Sequence, residues 1–185
     1  MTLPDFNAEG LLPEGVHSAS AAELKERFVT PFAGSTKRQQ VFDKFCLYQT
    51  DVAALSVHVT QWVDGSFVDR TRFDPDDVDA INFCDAGILN AVPVASQPQL
   101  RPLLDGRDST KTKYDTHTFL VIRFPVGHPF ASSFERQRKY WRDWFSRPQD
   151  YSGPKKVPAP WRGRKGIVQM NVGDVKLCPT VSDAM

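Results

Sequence analysis

One short stretch of this chain holds the residue types needed to bind a phosphate and a hard metal ion. It reads Asp64-Gly65-Ser66-Phe67-Val68-Asp69-Arg70-Thr71-Arg72-Phe73-Asp74-Pro75-Asp76-Asp77-Val78-Asp79. A predicted strand ends in Gly-Ser, and a second begins at Asp77-Val78-Asp79. Strand side chains alternate faces, so Asp77 and Asp79 project to one side, within reach of a single ion. Two carboxylates placed so make an oxygen site suited to Mg²⁺ that also holds phosphate oxygens. Gly65 removes side-chain bulk where a phosphate must approach the backbone, and Ser66 adds a hydroxyl and an N–H. Asp-rich loops alone are more often solvated turns than metal sites; the Gly-Ser partner distinguishes this one.

Those residues need elements to position them. Ser20-Ala21-Ala22-Glu23 has capping-box spacing and predicts a helix through Phe28. Pro31 and Gly34 end that element, and Ser35 can cap the next. Val41, Phe45, Tyr48, Val52 and Leu55 recur at steps of three and four, giving one buried helical stripe over Lys37–Leu55. Ser56–Val63 alternates with period two and predicts a strand, followed by a second over Val78–Phe83. Gln97–Leu104 predicts a helix ended by Asp105-Gly106, and Thr116–Phe124 a third strand. Ser132-Ser133-Phe134-Glu135 is a second capping-box pattern, opening a helix with Phe134, Tyr140, Trp141, Trp144 and Phe145 near one side. Pro148–Gly166 reads as irregular and Ile167–Met170 as a short edge strand. Residues 1–19 read as an extended leader, 20–178 as one domain, and 179–185 as a frayed tail. The succession predicts an α/β (α+β) fold, a single domain with a mixed β-sheet flanked by helices.

Composition bounds the class. The 185 residues are 41% hydrophobic and 24% charged, too apolar for a disordered chain. No run of about 18 apolar residues exists to span a membrane, and no secretion signal opens the sequence. Cys46, Cys84 and Cys178 are odd in number and widely spaced, which argues against a disulfide framework or zinc site. They read as small buried hydrophobes. Together these features predict a cytoplasmic protein. Net charge is +1, yet residues 1–94 carry 7 basic and 14 acidic side chains and residues 95–185 carry 16 and 8. The acidic excess gathers in residues 64–85, with 2 basic and 7 acidic, and the basic excess in residues 136–165, with 10 and 2. This predicts a cation site and an anion site.

Gly-Ser, a spacer of ten residues and Asp-x-Asp between strands resembles the nucleotidyltransferase superfamily that includes DNA polymerase beta. The wider chain is similar to a group of small, stand-alone bacterial proteins with that fold. Leu11-Leu12-Pro13-Glu14-Gly15-Val16-His17, Asp64 to Val68, His128-Pro129, Tyr140-Trp141-Arg142 and Lys165 to Val168 carry the likeness in order. The resemblance implies Mg²⁺-dependent transfer of a nucleotidyl group from a nucleoside triphosphate such as ATP to an RNA or protein hydroxyl. Gly65 and Ser66 would cradle the triphosphate, and Asp77 and Asp79 would bind two Mg²⁺ ions. A toxin or phage-defence component, with a toxin–antitoxin partner, is the implied setting. A third carboxylate on a neighbouring strand normally completes such a site. In Tyr114-Asp115-Thr116-His117 either Asp115, which has the right chemistry, or His117, nearer the usual position, fills it. An imidazole there would weaken the second metal.

Three further readings stand beside this one. Lys155, Lys156, Arg162, Arg164 and Lys165 could contact the triphosphate or an acceptor such as tRNA, with Trp161 stacking on a base, or could form a solvated basic loop. His17, His58 and His128 read as structural, and Trp141, Trp144 and Phe145 as core or rim. A catalytically degenerate binding module (an antitoxin or regulator) and a plain RNA-binding domain are the alternative function classes.

Overall fold

The computed structural model describes residues 3–153 and 156–173. Among the described residues seven strands occur in chain order: β1 (Val16–Ser18), β2 (Val59–Asp64), β3 (Val78–Asp85), β4 (Thr116–Arg123), β5 (Gln149–Asp150), β6 (Val157–Pro158) and β7 (Ile167–Val172). Five build a sheet in the order β1-β7-β2-β3-β4, and β5 pairs with β6 apart from it. β2 runs antiparallel to both β3 and β7, while β3 is parallel to β4 and β1 parallel to β7. The helices are α1 (Ala21–Phe28), α2 (Thr36–Ala54), α3 (Ala86–Ala91), α4 (Gln97–Leu104), α5 (Arg107–Tyr114) and α6 (Ser133–Phe145). The mixed sheet flanked by helices is the predicted architecture. No helix among the described residues is long and apolar enough to cross a membrane.

Strand alternation sorts the sheet into two faces. One sends Val59, Val63, Ala80, Val168 and Met170 into the main core, against α1 and α2. All five stripe residues of α2 are buried there. The other face carries Trp62, Ile81, Phe83 and Val121 and is covered by α6 through Phe134, Trp141 and Phe145. Both helices on the main-core side start as their sequences predict. Ser20 accepts from Glu23 N at 3.2 Å while Glu23 Oε2 accepts from Ser20 N at 2.8 Å, and Ser35 Oγ accepts from Arg38 N at 3.0 Å. Such a cap is worth about 1 kcal/mol.

Several expectations change. The N-terminal segment is core rather than leader: Leu11 and Leu12 are buried and Val16–Ser18 pairs with β7. For that reason β7 is not an edge strand but lies between β1 and β2, two residues longer than predicted. Ser132 makes no side-chain cap because its backbone is already helical (φ −71°, ψ −13°). α3 and α5 add to the predicted elements. α5 reads Arg107 to Tyr114 with one large apolar residue, so no stripe announces it. Cys84 is a buried free thiol; Cys46 is buried but is not a free thiol, and Cys178 lies outside the described residues, as does the 179–185 tail.

Candidate functional site

The antiparallel register of β2 and β3 sets Asp64 opposite Asp79, and the parallel register of β3 and β4 sets Asp79 beside His117. Alternation sends these side chains, with Asp77, to the face that α6 covers further along. The end of three strands therefore brings Gly65, Asp77, Asp79 and His117 together, with Ser66 next to Gly65 in the turn.

Gly65 holds φ +87°, a conformation that favours glycine, and a Cβ there would meet Asp79 Oδ2 at 2.5 Å. The space between the turn and the carboxylate thus leaves no room for a side chain at this position. His117 Nδ1 lies 3.3 Å from Asp79 Oδ1 and 3.7 Å from Asp77 Oδ2. Lys111 Nζ, from α5, donates to Asp77 Oδ2 at 2.8 Å. That bond, with the charges of Asp76 and Asp79, holds the Lys111 ammonium above its ordinary range. Tyr151 closes one side: burial first, then the charges of Asp69, Asp64 and Asp79, push its phenol upward.

Asp115 does not join this group. It adopts a left-handed conformation (φ 48°) that breaks strand alternation just before β4. Its carboxylate turns to α2 instead, 3.2 Å from Lys44 Nζ and 3.6 Å from Lys37 Nζ. His117 fills the position beside Asp79. Lys165 also departs from the predicted phosphate contact, because it is buried beneath the turn. Its Nζ lies 2.9 Å from Asp64 Oδ1 and donates to Gly65 O at 3.3 Å. Both side chains are nearly fully buried, at 3% and 6% exposed. Asp64 Oδ1 makes this close ion pair without a well-directed hydrogen bond. Burial, only partly offset by Lys165, pushes the Asp64 carboxyl up to about 7.

The loop from Phe67 to Asp77 is held from behind by a residue whose role no motif signals. Arg38 is completely buried, and its guanidinium donates to the carbonyls of Phe28, Phe67, Asp69, Arg72 and Phe73. A planar five-donor fork can satisfy several carbonyls of a folded-back loop at once. Burial lowers its pKa to about 10, against the opposing charges of Asp69 and Asp74. Arg162 clamps the same loop, with Nη1 2.8 Å and Nη2 3.0 Å from the buried Asp69 carboxylate. Arg164 pairs with Glu14 at 2.8 Å. Of the predicted basic loop, then, Arg162, Arg164 and Lys165 are spent on internal ion pairs. Lys156 and Trp161 are exposed, and Lys155 lies outside the described residues. The acidic and basic halves of the sequence meet through Asp64–Lys165 and Asp69–Arg162 rather than forming two open poles.

The donor set bears on metal binding. Asp77 and Asp79 could hold one Mg²⁺, since Mg²⁺ commonly takes one or two carboxylates and fills its sphere with phosphate oxygens and water. They do not make a two-ion centre: the third group is an imidazole, poorly suited to Mg²⁺, and Lys111 already neutralises Asp77. Among the described residues no group of three or more His, Cys, Asp or Glu is disposed to hold a metal. A cavity of about 630 Å³ lies at the opposite end of the same sheet face, against Asp85, Arg123 and Arg138, and not at this site.

Residues 4–171 match the model of a family described as a family of unknown function, DUF6932. The chain belongs to that family. The match spans the elements that build the site, from the N-terminal segment to β7. No curated protein and no solved structure matches the chain.

Proposed function

We propose that this protein is a nucleotidyltransferase-like binding module. Its turn at Gly65-Ser66 takes the phosphates of a nucleoside triphosphate, and one Mg²⁺ held by Asp77 and Asp79 neutralises their charge. Lys111 supplies the counter-charge when that ion is absent and is free, on a half-exposed side chain, to swing onto a phosphate when it binds. The observation that carries this reading is His117. It occupies the register position beside Asp79 where the resemblance expects a third carboxylate, and Asp115 is turned away to Lys44 and Lys37. Without that carboxylate the second ion has no anionic ligand on β4, so nucleotidyl transfer to an acceptor hydroxyl is slow or lost while nucleotide binding remains.

The test is calorimetric titration of ATP, GTP, CTP and UTP in Mg²⁺ and in EDTA, beside incubation with labelled nucleotides and cell extract. Mg²⁺-dependent binding without covalent label is the expected result, and Asp77→Asn/Asp79→Asn should weaken it at least about tenfold, the loss of one charge-assisted contact. His117→Asp should strengthen Mg²⁺ dependence. Efficient labelling of an acceptor by the wild type, abolished in the double variant, would establish an active transferase instead. Nucleotide binding untouched by the double variant would show that the site lies elsewhere.

A further inference from the structure

α6 connects the two ends of one sheet face, and its outward side is unlike an ordinary solvated helix surface. Its C-terminal end is tied to the candidate site: Lys165 N donates to Ser146 O at 3.0 Å, and the Trp141 ring lies 4.6 Å from Phe119, two residues along β4 from His117. Its N-terminal end borders the 630 Å³ cavity through Glu135 and Arg138. Tyr140 and Trp144 sit one turn apart on the outer side, 56% and 53% exposed. Their rings are 6.3 Å apart and only 17° from parallel, with the Arg147 guanidinium 5.9 Å over Trp144. Arg136, four residues before Tyr140, and Arg147, three after Trp144, are exposed on the same face, and residues 133–147 carry five basic side chains against two acidic.

We propose that this face of α6 binds a single-stranded polynucleotide, with bases stacking on Tyr140 and Trp144 and phosphates contacting Arg136 and Arg147. Near-parallel exposed rings match planar bases, and the surplus positive charge matches a phosphate chain. An acidic peptide satisfies the charge but offers nothing flat to the rings. A duplex satisfies the charge but keeps its bases stacked on one another. The strand so held leads along α6 toward Asp77 and Asp79. The inference does not require that those carboxylates bind nucleotide.

Fluorescence anisotropy with labelled single-stranded RNA and DNA 12-mers, a duplex RNA and poly-glutamate tests it. Single strands should bind with tryptophan quenching and a steep salt dependence, more tightly than the duplex or poly-glutamate; comparing RNA with DNA identifies the sugar. Tyr140→Ala/Trp144→Ala should weaken binding at least about tenfold, since one stacked base is worth about 5- to 150-fold. Both side chains are exposed, so the circular-dichroism spectrum and melting temperature should not change. Arg136→Gln/Arg147→Gln should reduce the slope of log K against log salt by about 1.4. Asp77→Asn/Asp79→Asn should leave strand binding intact, which separates this surface from the nucleotide site. Equal binding of poly-glutamate, absence of binding at 50 mM salt, or full affinity in the Tyr140/Trp144 variant would each overturn the proposal.

Discussion

Replacing Lys165 by methionine distinguishes a strut beneath the phosphate turn from a phosphate ligand. The ammonium is buried, sits 2.9 Å from Asp64 Oδ1 and donates to Gly65 O. At about pH 8, where the Asp64 carboxyl is ionised, Lys165→Met keeps most of the side-chain volume but strands that carboxylate in the interior. Removing one partner of a buried pair costs about 3–5 kcal/mol. At roughly 2–4 °C per kcal/mol for a chain of this length, the melting temperature should fall by about 10 °C. Lys165→Met with Asp64→Asn removes both charges, so the double variant should recover more than half of that loss; replacing a whole buried pair is often close to neutral. Calorimetric melts of the wild type, both single variants and the double variant at that pH close the cycle. A coupling energy below about 0.5 kcal/mol would refute the pair as a unit. An unchanged melt accompanied by weaker nucleotide binding would make Lys165 a ligand contact instead of a strut.

Other perturbations follow from the same geometry. Gly65→Ala forces a Cβ into a left-handed backbone at about 1–2 kcal/mol and against Asp79 Oδ2; a lower melting temperature and weaker Mg²⁺-dependent nucleotide binding should appear together in thermal shift and titration. Arg162→Met leaves the fully buried Asp69 without its clamp, and the urea midpoint should drop by the equivalent of about 3–5 kcal/mol. The Asp64 carboxyl, pushed up to about 7 by burial, holds a proton in the folded state that the unfolded chain releases near pH 4. Between those values the folded state binds more protons, so this group's contribution to stability falls as pH rises. Asp64→Asn should flatten that part of the stability profile in urea melts run from pH 4 to pH 8.

Much of the fold was legible because its signals are local. The α2 stripe depends only on 3.6-residue periodicity, the α1 cap only on Ser20 and Glu23, and three strands on alternation and β-branched residues. The signals failed where pairing decides the outcome. Val16–Ser18 is too short and Ile167–Val172 too plain to reveal that they pair with each other and carry β7 into the sheet. α5 has the composition of a solvated loop and becomes a helix next to α2 and β4.

The site divides the same way. Gly65, Ser66, Asp77 and Asp79 follow from the sequence, since a turn and an i, i+2 carboxylate pair need nothing beyond two adjacent strands. The choice between Asp115 and His117 was beyond it, because one left-handed residue at the head of β4 reverses which side chain faces Asp79. Arg38 and Lys165 are the sharper case. As letters they are a helix surface cation and one member of a basic run; only the packing shows both enclosed, one holding carbonyls and the other a carboxylate. Charge along a chain is fixed by the sequence, but which charges are spent on each other depends on distances that exist only after folding.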